Sequence, residues 1–291
     1  MRGSAGEFGE YGRSGRWRHG AAGLAVGVLL TGCSGGGDTD TQDPVDRAKP
    51  GTTASGATEA GSEAKGGGPT PGPSVSVGPD FTPDESRIPR TRGEALRLAR
   101  AVAAEPGRYG PGYVKRSPYE SDPGSLAVLD EDCVWQREPL PPSVLTSFTR
   151  YSELPAKGDK GPIRIAATVV VHREVDDAEW EMARTLEEAL RCPQQQLSGS
   201  ERITGLLSAG LPFGAGNFSS DDTVSEHGEY HSDELGGPHY YIWGQSRLDQ
   251  VTVSVVGKGS KGRTEEEIDT AVTEGTGAML VDIQAELEAS E

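Results

Sequence analysis

Residues that carry chemistry are scarce in this chain. Its 291 residues include three cysteines and five histidines, and aromatic side chains make up 6%. Base is short as well: 28 Lys and Arg face 45 Asp and Glu, a formal charge of −17. Such an acidic balance argues against nucleic acid and against an anionic membrane surface as binding partners, while cationic ligands or proteins remain compatible with it. The apolar run Ala21–Leu30 is only ten residues long, too short to span a bilayer as a mature helix. Catalytic motifs are missing too. Gly205-Leu206-Leu207-Ser208-Ala209-Gly210 has the wrong spacing for a nucleophile elbow. Gly257-Lys258-Gly259-Ser260-Lys261-Gly262 lacks the spacing of a phosphate loop and reads as a basic turn. No catalytic residue, bound metal or cofactor is assigned from sequence.

What is present begins with an export signal. Arg2, Arg13, Arg16 and Arg18 precede the short apolar run, the layout of a secretory signal peptide over residues 1–32. The residues that follow, Leu30-Thr31-Gly32-Cys33, resemble the lipobox of bacterial lipoproteins. That resemblance implies a diacylglyceryl group on Cys33 and a palmitate-labelled protein anchored on the outer face of the cell membrane. The signal segment carries +2, four arginines against Glu7 and Glu10, so the rest of the chain carries −19, that is −17 − 2.

Residues 33–90 read as a tether. From Ser34 to Arg90 there are 11 glycines and 8 prolines, and Phe81 is the only aromatic residue. Such a composition buries too little apolar surface to offset the entropy of ordering. A flexible coil of this length reaches about 40 Å. Residues 91–291 are expected to fold as one α+β domain: a mostly antiparallel sheet with helices packed on it.

The clearest unit of that domain runs from Ile163 to Pro193. Ile163, Ile165, Ala167, Val169 and Val171 alternate with more polar neighbours, the period of a strand with one apolar face. A helix is expected next, with Asp176 and Glu179 as a capping box and Val175 stapled to Trp180. Its apolar stripe is Ala178, Met182, Leu186, Ala189 and Leu190, with Glu181, Glu187 and Glu188 on the opposite side. Capping boxes at Thr91/Glu94 and Thr264/Glu267 open a first and a last helix. A hairpin joins Val144–Leu154 to Ile163, and three consecutive strands lie between Asp222 and Val256. In the last of these, Val251, Val253 and Val255 should face inward and Thr252 and Ser254 outward.

Without Cys33, two cysteines remain. In an exported chain Cys133 and Cys192 are expected to pair, fastening the helix end to the sheet.

Two stretches are candidates for binding. His227, His231 and His239 stand close in sequence with Glu226, Glu229, Asp233 and Glu234, a ligand set that zinc or copper would favour. In a strand His227 and His231 would sit about 13 Å apart, too far to share an ion, so a purely structural role is the competing reading. Tyr240, Tyr241, Ile242 and Trp243 alternate faces in a strand, so one pair joins the core and the other forms either a second buried layer or a binding platform. Tyr241 and Trp243 are the ligand-binding candidates.

The order of elements from Cys133 to Leu287, together with Val251-Thr252-Val253-Ser254-Val255-Val256, resembles the extracellular sensor domain of mycobacterial PknH-type kinases, related forms of which occur as free actinobacterial lipoproteins. The resemblance implies an α/β sensor fold with a cleft for an extracellular ligand and no catalysis. The kinase part has no counterpart here. Two classes of function follow. One is a non-catalytic domain that binds or senses an extracellular ligand or protein. The other is an extracytoplasmic hydrolase or metal-binding protein, with titratable groups converging around His172, Asp222, Glu226 or the His227/His231/His239 region.

Overall fold

The computed structural model describes residues 79–215 and 217–288. The signal segment, Cys33 and most of the expected tether lie outside the described residues.

One large, curled antiparallel sheet organises the domain, with three helices packed on it. Its strands are β1 (Val114–Glu120), β4 (Val144–Leu154), β5 (Ile163–His172), β6 (Gln195–Ser198), β7 (Glu201–Pro212), β8 (Asp222–Ser232), β9 (Gly236–Leu248) and β10 (Val251–Lys258). They lie in the order β1-β4-β5-β10-β9-β8-β7-β6. The two remaining strands, β2 (Ser125–Leu129) and β3 (Trp135–Pro139), form a separate two-stranded sheet.

Alternation along the strands builds two unlike faces. Ile163, Ile165, Ala167, Val169 and Val171 of β5 and Val251, Val253 and Val255 of β10 project to one side and are buried. There they meet α1 (Arg92–Val102) and α3 (Glu265–Leu287) in the main apolar core. Both helices carry the expected capping boxes, Thr91 with Glu94 and Thr264 with Glu267. Core packing is close. A methyl group on Gly275 of α3 would stand 2.5 Å from Tyr109 Cε1, and one on Gly257 of β10 2.5 Å from Ile268 Cγ2.

The other face is covered by α2 (Val175–Arg191). Glu174, not Asp176, is its N-cap, without a side-chain cap bond. Asp176 and Asp177 fall inside the first turn, where carboxylates favour the positive end of the helix. With the helix starting two residues early there is no staple, and Trp180 is 71% exposed. The buried stripe also differs from expectation. Thr185 and Glu188 are buried with Ala178, Met182 and Ala189, whereas Leu190 is exposed.

Two further differences matter for the site. Thr252 and Ser254, expected at the surface, are buried, because α2 and the small sheet form a second layer over their face. Cys133 and Cys192 are disulfide-bonded with Cα atoms 5.6 Å apart. The bond fastens the C-cap of α2 to the β2–β3 turn rather than to the main sheet. Gln196 N donates to Cys133 O at 2.9 Å, so β6 backs the same junction.

At the other end, residues expected to finish the tether belong to the folded unit. Phe81 packs on the core, Asp84 N donates to Leu287 O at 2.8 Å, and Gln250 Nε2 donates to Pro89 O at 3.1 Å.

Candidate functional site

Between the second face of the sheet, α2 and the β2–β3 hairpin lies a cavity of about 260 Å³. Period-two alternation supplies its floor: Ala166, Thr168 and Val170 from β5, Thr252, Ser254 and Val256 from β10, and Tyr241, Trp243 and Gln245 from β9. The hairpin contributes Leu126, Val128 and Trp135 as a roof, held down by the disulfide. Trp135 and Trp243 meet edge to face across it with ring centroids 6.0 Å apart. Trp135 Nε1 donates to Gln195 Oε1 at 2.8 Å. Both sequence candidates, Tyr241 and Trp243, therefore sit on the cavity wall, while Ile242 and Tyr240 turn to the α3 side.

α2 brings acid to this apolar space. Glu181 accepts from Thr252 Oγ1 at 2.8 Å and from Gln245 Nε2 at 3.1 Å, and lies 2.5 Å from His172 Nε2. Burial alone would raise its pKa; the bond and charge of His172, with Thr252, outweigh this and hold it below the ordinary value. Thr185 Oγ1 donates to Gln245 Oε1 at 2.8 Å and closes the network.

Glu188, about two turns beyond Glu181 along α2, differs. It is 9% exposed and lines the cavity, and its carboxylate has neither a hydrogen bond nor an ion pair among the described residues. Burial pushes its pKa from 4.5 up to about 7, against the pull of Arg184 and Arg191. Glu226 stands behind the same wall, opposite Trp243 in the β8–β9 register. It is 2% exposed, and its Oε2 has no partner among the described residues. Burial raises it also to about 7, with the Ser208 hydroxyl opposing and Glu188 adding to the rise. Thus one buried acid without a counter-cation lines the cavity and a second stands behind its wall. Sequence reasoning placed Glu188 on the solvent side of its helix. The available signal was spacing, since Glu181, Thr185 and Glu188 recur at four and three residues, one stripe of a helix.

The cations near the cavity are engaged or wet. Lys258 Nζ bonds Glu201 Oε2 at 2.8 Å. Arg137 donates to Ser125 O at 3.3 Å and Tyr151 Oη at 3.2 Å. Arg184 is exposed.

A histidine oriented by a carboxylate is half of a hydrolytic triad. At His172 the nucleophile half is missing: Nδ1, on the other side of the ring, has no partner among the described residues. Asp222 is occupied by Arg247, whose Nε donates to it at 2.9 Å. The remaining histidines are not brought together. His227 bonds Ser225 at 3.0 Å and Tyr240 at 2.6 Å, His231 bonds Thr204 at 3.0 Å, and His239 bonds Leu235 O at 2.9 Å. Among the described residues no group of three His, Cys, Asp or Glu side chains is placed to hold a metal ion. Nor is any described helix long and apolar enough to cross a membrane.

No family model matches the chain, and no curated protein matches it. Among solved structures it is similar to an uncharacterized protein of Mycobacterium smegmatis, an Rv0999 ortholog. That match has 14% identity and a TM-score of 0.32, covering 63% of this chain and 99% of the other.

Proposed function

We propose that this chain is a lipid-anchored extracytoplasmic protein whose domain binds a small ligand in the roofed cavity without transforming it. The observation that carries the reading is the cavity itself: a mainly apolar space with aromatic walls and a few convergent polar groups, the usual form of a small-molecule site. The lipobox at Leu30-Thr31-Gly32-Cys33 supports the anchor, and the resemblance to the PknH-type extracellular sensor domain supports binding rather than catalysis. The histidine–glutamate pair fits the same reading, as a buttress that seats α2 on β5 and β10.

The test uses the tryptophans already in the wall. A compound library is screened by quenching of Trp135 and Trp243 fluorescence, and each hit is recovered and weighed by mass spectrometry. Hits should return unchanged in mass, and Ser254→Leu, which fills the floor, should abolish their binding while the protein stays folded. Hits that bind Ser254→Leu equally well would remove the cavity from the proposal. Hits that return altered, with the change lost in His172→Gln, would make the protein an enzyme.

A further inference from the structure

We infer that the cavity selects a small organic amine, seating its positively charged nitrogen beside Glu188 against the faces of Trp135, Trp243 and Tyr241. The inference rests on the ligand-binding reading above and adds the charge of the ligand.

The argument is one of unmet demand. A buried carboxylate normally has a paired cation or several hydrogen bonds, because an isolated ion loses its hydration without compensation. Glu181 meets this rule with three partners on the cavity wall. Glu188 does not: it is nine-tenths buried and lines the cavity, and its carboxylate has no bonded partner among the described residues. Glu226 repeats the pattern independently from another element, with an unpartnered Oε2 at 2% exposure. Glu188 and Tyr241 line the cavity; the charge of Glu188 raises Glu226, and that of Glu226 raises Tyr241, so the buried acid of β8 stands close behind the wall they form.

Aromatic rings supply the remaining requirement. Tyr241 and Trp243 rise from β9 on the same face, and Trp135 descends from the hairpin to meet Trp243. An ammonium within about 6 Å of a ring centroid gains from the ring quadrupole, more so when desolvated. Carboxylate and aromatic wall together favour a cation on an apolar body. An anionic ligand would meet the opposite: Glu188 facing it, Glu226 behind the wall, Lys258 spent on Glu201, Arg137 spent on the hairpin and Tyr151, and Arg184 in solvent.

Three probes of matched length separate the possibilities in the full-length chain: hexylamine, 1-hexanol and hexanoate, titrated by calorimetry at pH 7.5. Hexylamine should bind at least tenfold more tightly than hexanol, and hexanoate least. Glu188→Gln should weaken hexylamine at least tenfold and leave hexanol unchanged, a pattern that misfolding would not produce. Equal affinity for hexylamine and hexanol, or preference for hexanoate, would overturn the amine inference while leaving the cavity reading in place. Binding of none of the three would overturn both.

Discussion

Glu226→Gln offers a direct measure of what the buried acids cost the fold. In the native state this carboxyl is held from 4.5 up to about 7, whereas in the unfolded chain it ionises near the ordinary value. Below pH 4.5 both states are protonated and the group is neutral in its effect. As pH rises toward 7, the unfolded state releases its proton first and is favoured. Above pH 7 the penalty is complete, about 3 kcal/mol, since each pH unit between the two values corresponds to 1.36 kcal/mol. Gln cannot ionise, so its gain over the wild type should climb from near zero at pH 4 to about 3 kcal/mol at pH 8. Imperfect hydrogen bonding of the amide offsets this by about 1 kcal/mol, but that offset is the same at every pH. Urea denaturation of both proteins at four or five pH values gives the difference directly. Taking the difference cancels carboxylates shifted the other way, such as Glu267, held down to about 2 by Lys160. A stability difference that does not change between pH 4 and pH 8 would refute the reasoning. Glu188→Gln should behave alike, and the double variant should gain less than the sum, because the charge of Glu188 is part of what raises Glu226.

Three further outcomes are expected. Replacing Cys133 and Cys192 by serine should cost about 4 kcal/mol in urea denaturation, from the 59-residue separation they close; an unchanged midpoint would show the bond to be incidental. Gly257→Ala places a methyl 2.5 Å from Ile268 Cγ2 and 2.9 Å from Val272 Cγ2, a crowding that should cost about 1–3 kcal/mol. Gly199→Ala, which meets nothing within 4 Å, is its control and should be near neutral. Cys33→Ala should abolish incorporation of labelled palmitate, and retention of label would dismiss the lipid anchor.

The elements that could be read from sequence are those whose signals are local. Thr91 and Glu94, or Thr264 and Glu267, satisfy each other within one turn, so a four-residue pattern is enough. The alternation from Ile163 to Val171 is equally self-contained. Thr252 and Ser254 were misjudged because their burial depends on α2 and a hairpin far away in sequence. Residue type points such positions to water; only the second layer reverses it. Trp243 was found as an aromatic in a strand, but Trp135 and Glu188 join it only through topology. The four-residue β6 and the N-cap of α2 were missed for a simpler reason. Gln195–Ser198 has no apolar alternation, and Glu174 is not a residue that caps with its side chain.

The strand order has a consequence for how the chain must assemble. β10 joins the two parts of the sheet, pairing Val251 with Val171, 80 positions earlier, as well as with Leu248 beside it. Until residues 251–258 are in place, β5 and β9 each present a free edge, and β5 is rich in valine and isoleucine. Contacts of such long range are slow to form, and open apolar edges invite pairing between molecules. A chain stopped at Gln250 would hold two incomplete sheets and lack α3, whose side chains fill the core between them. Such a fragment should aggregate rather than fold, although it contains every lining residue except the four that β10 supplies, Thr252, Ser254, Val256 and Lys258.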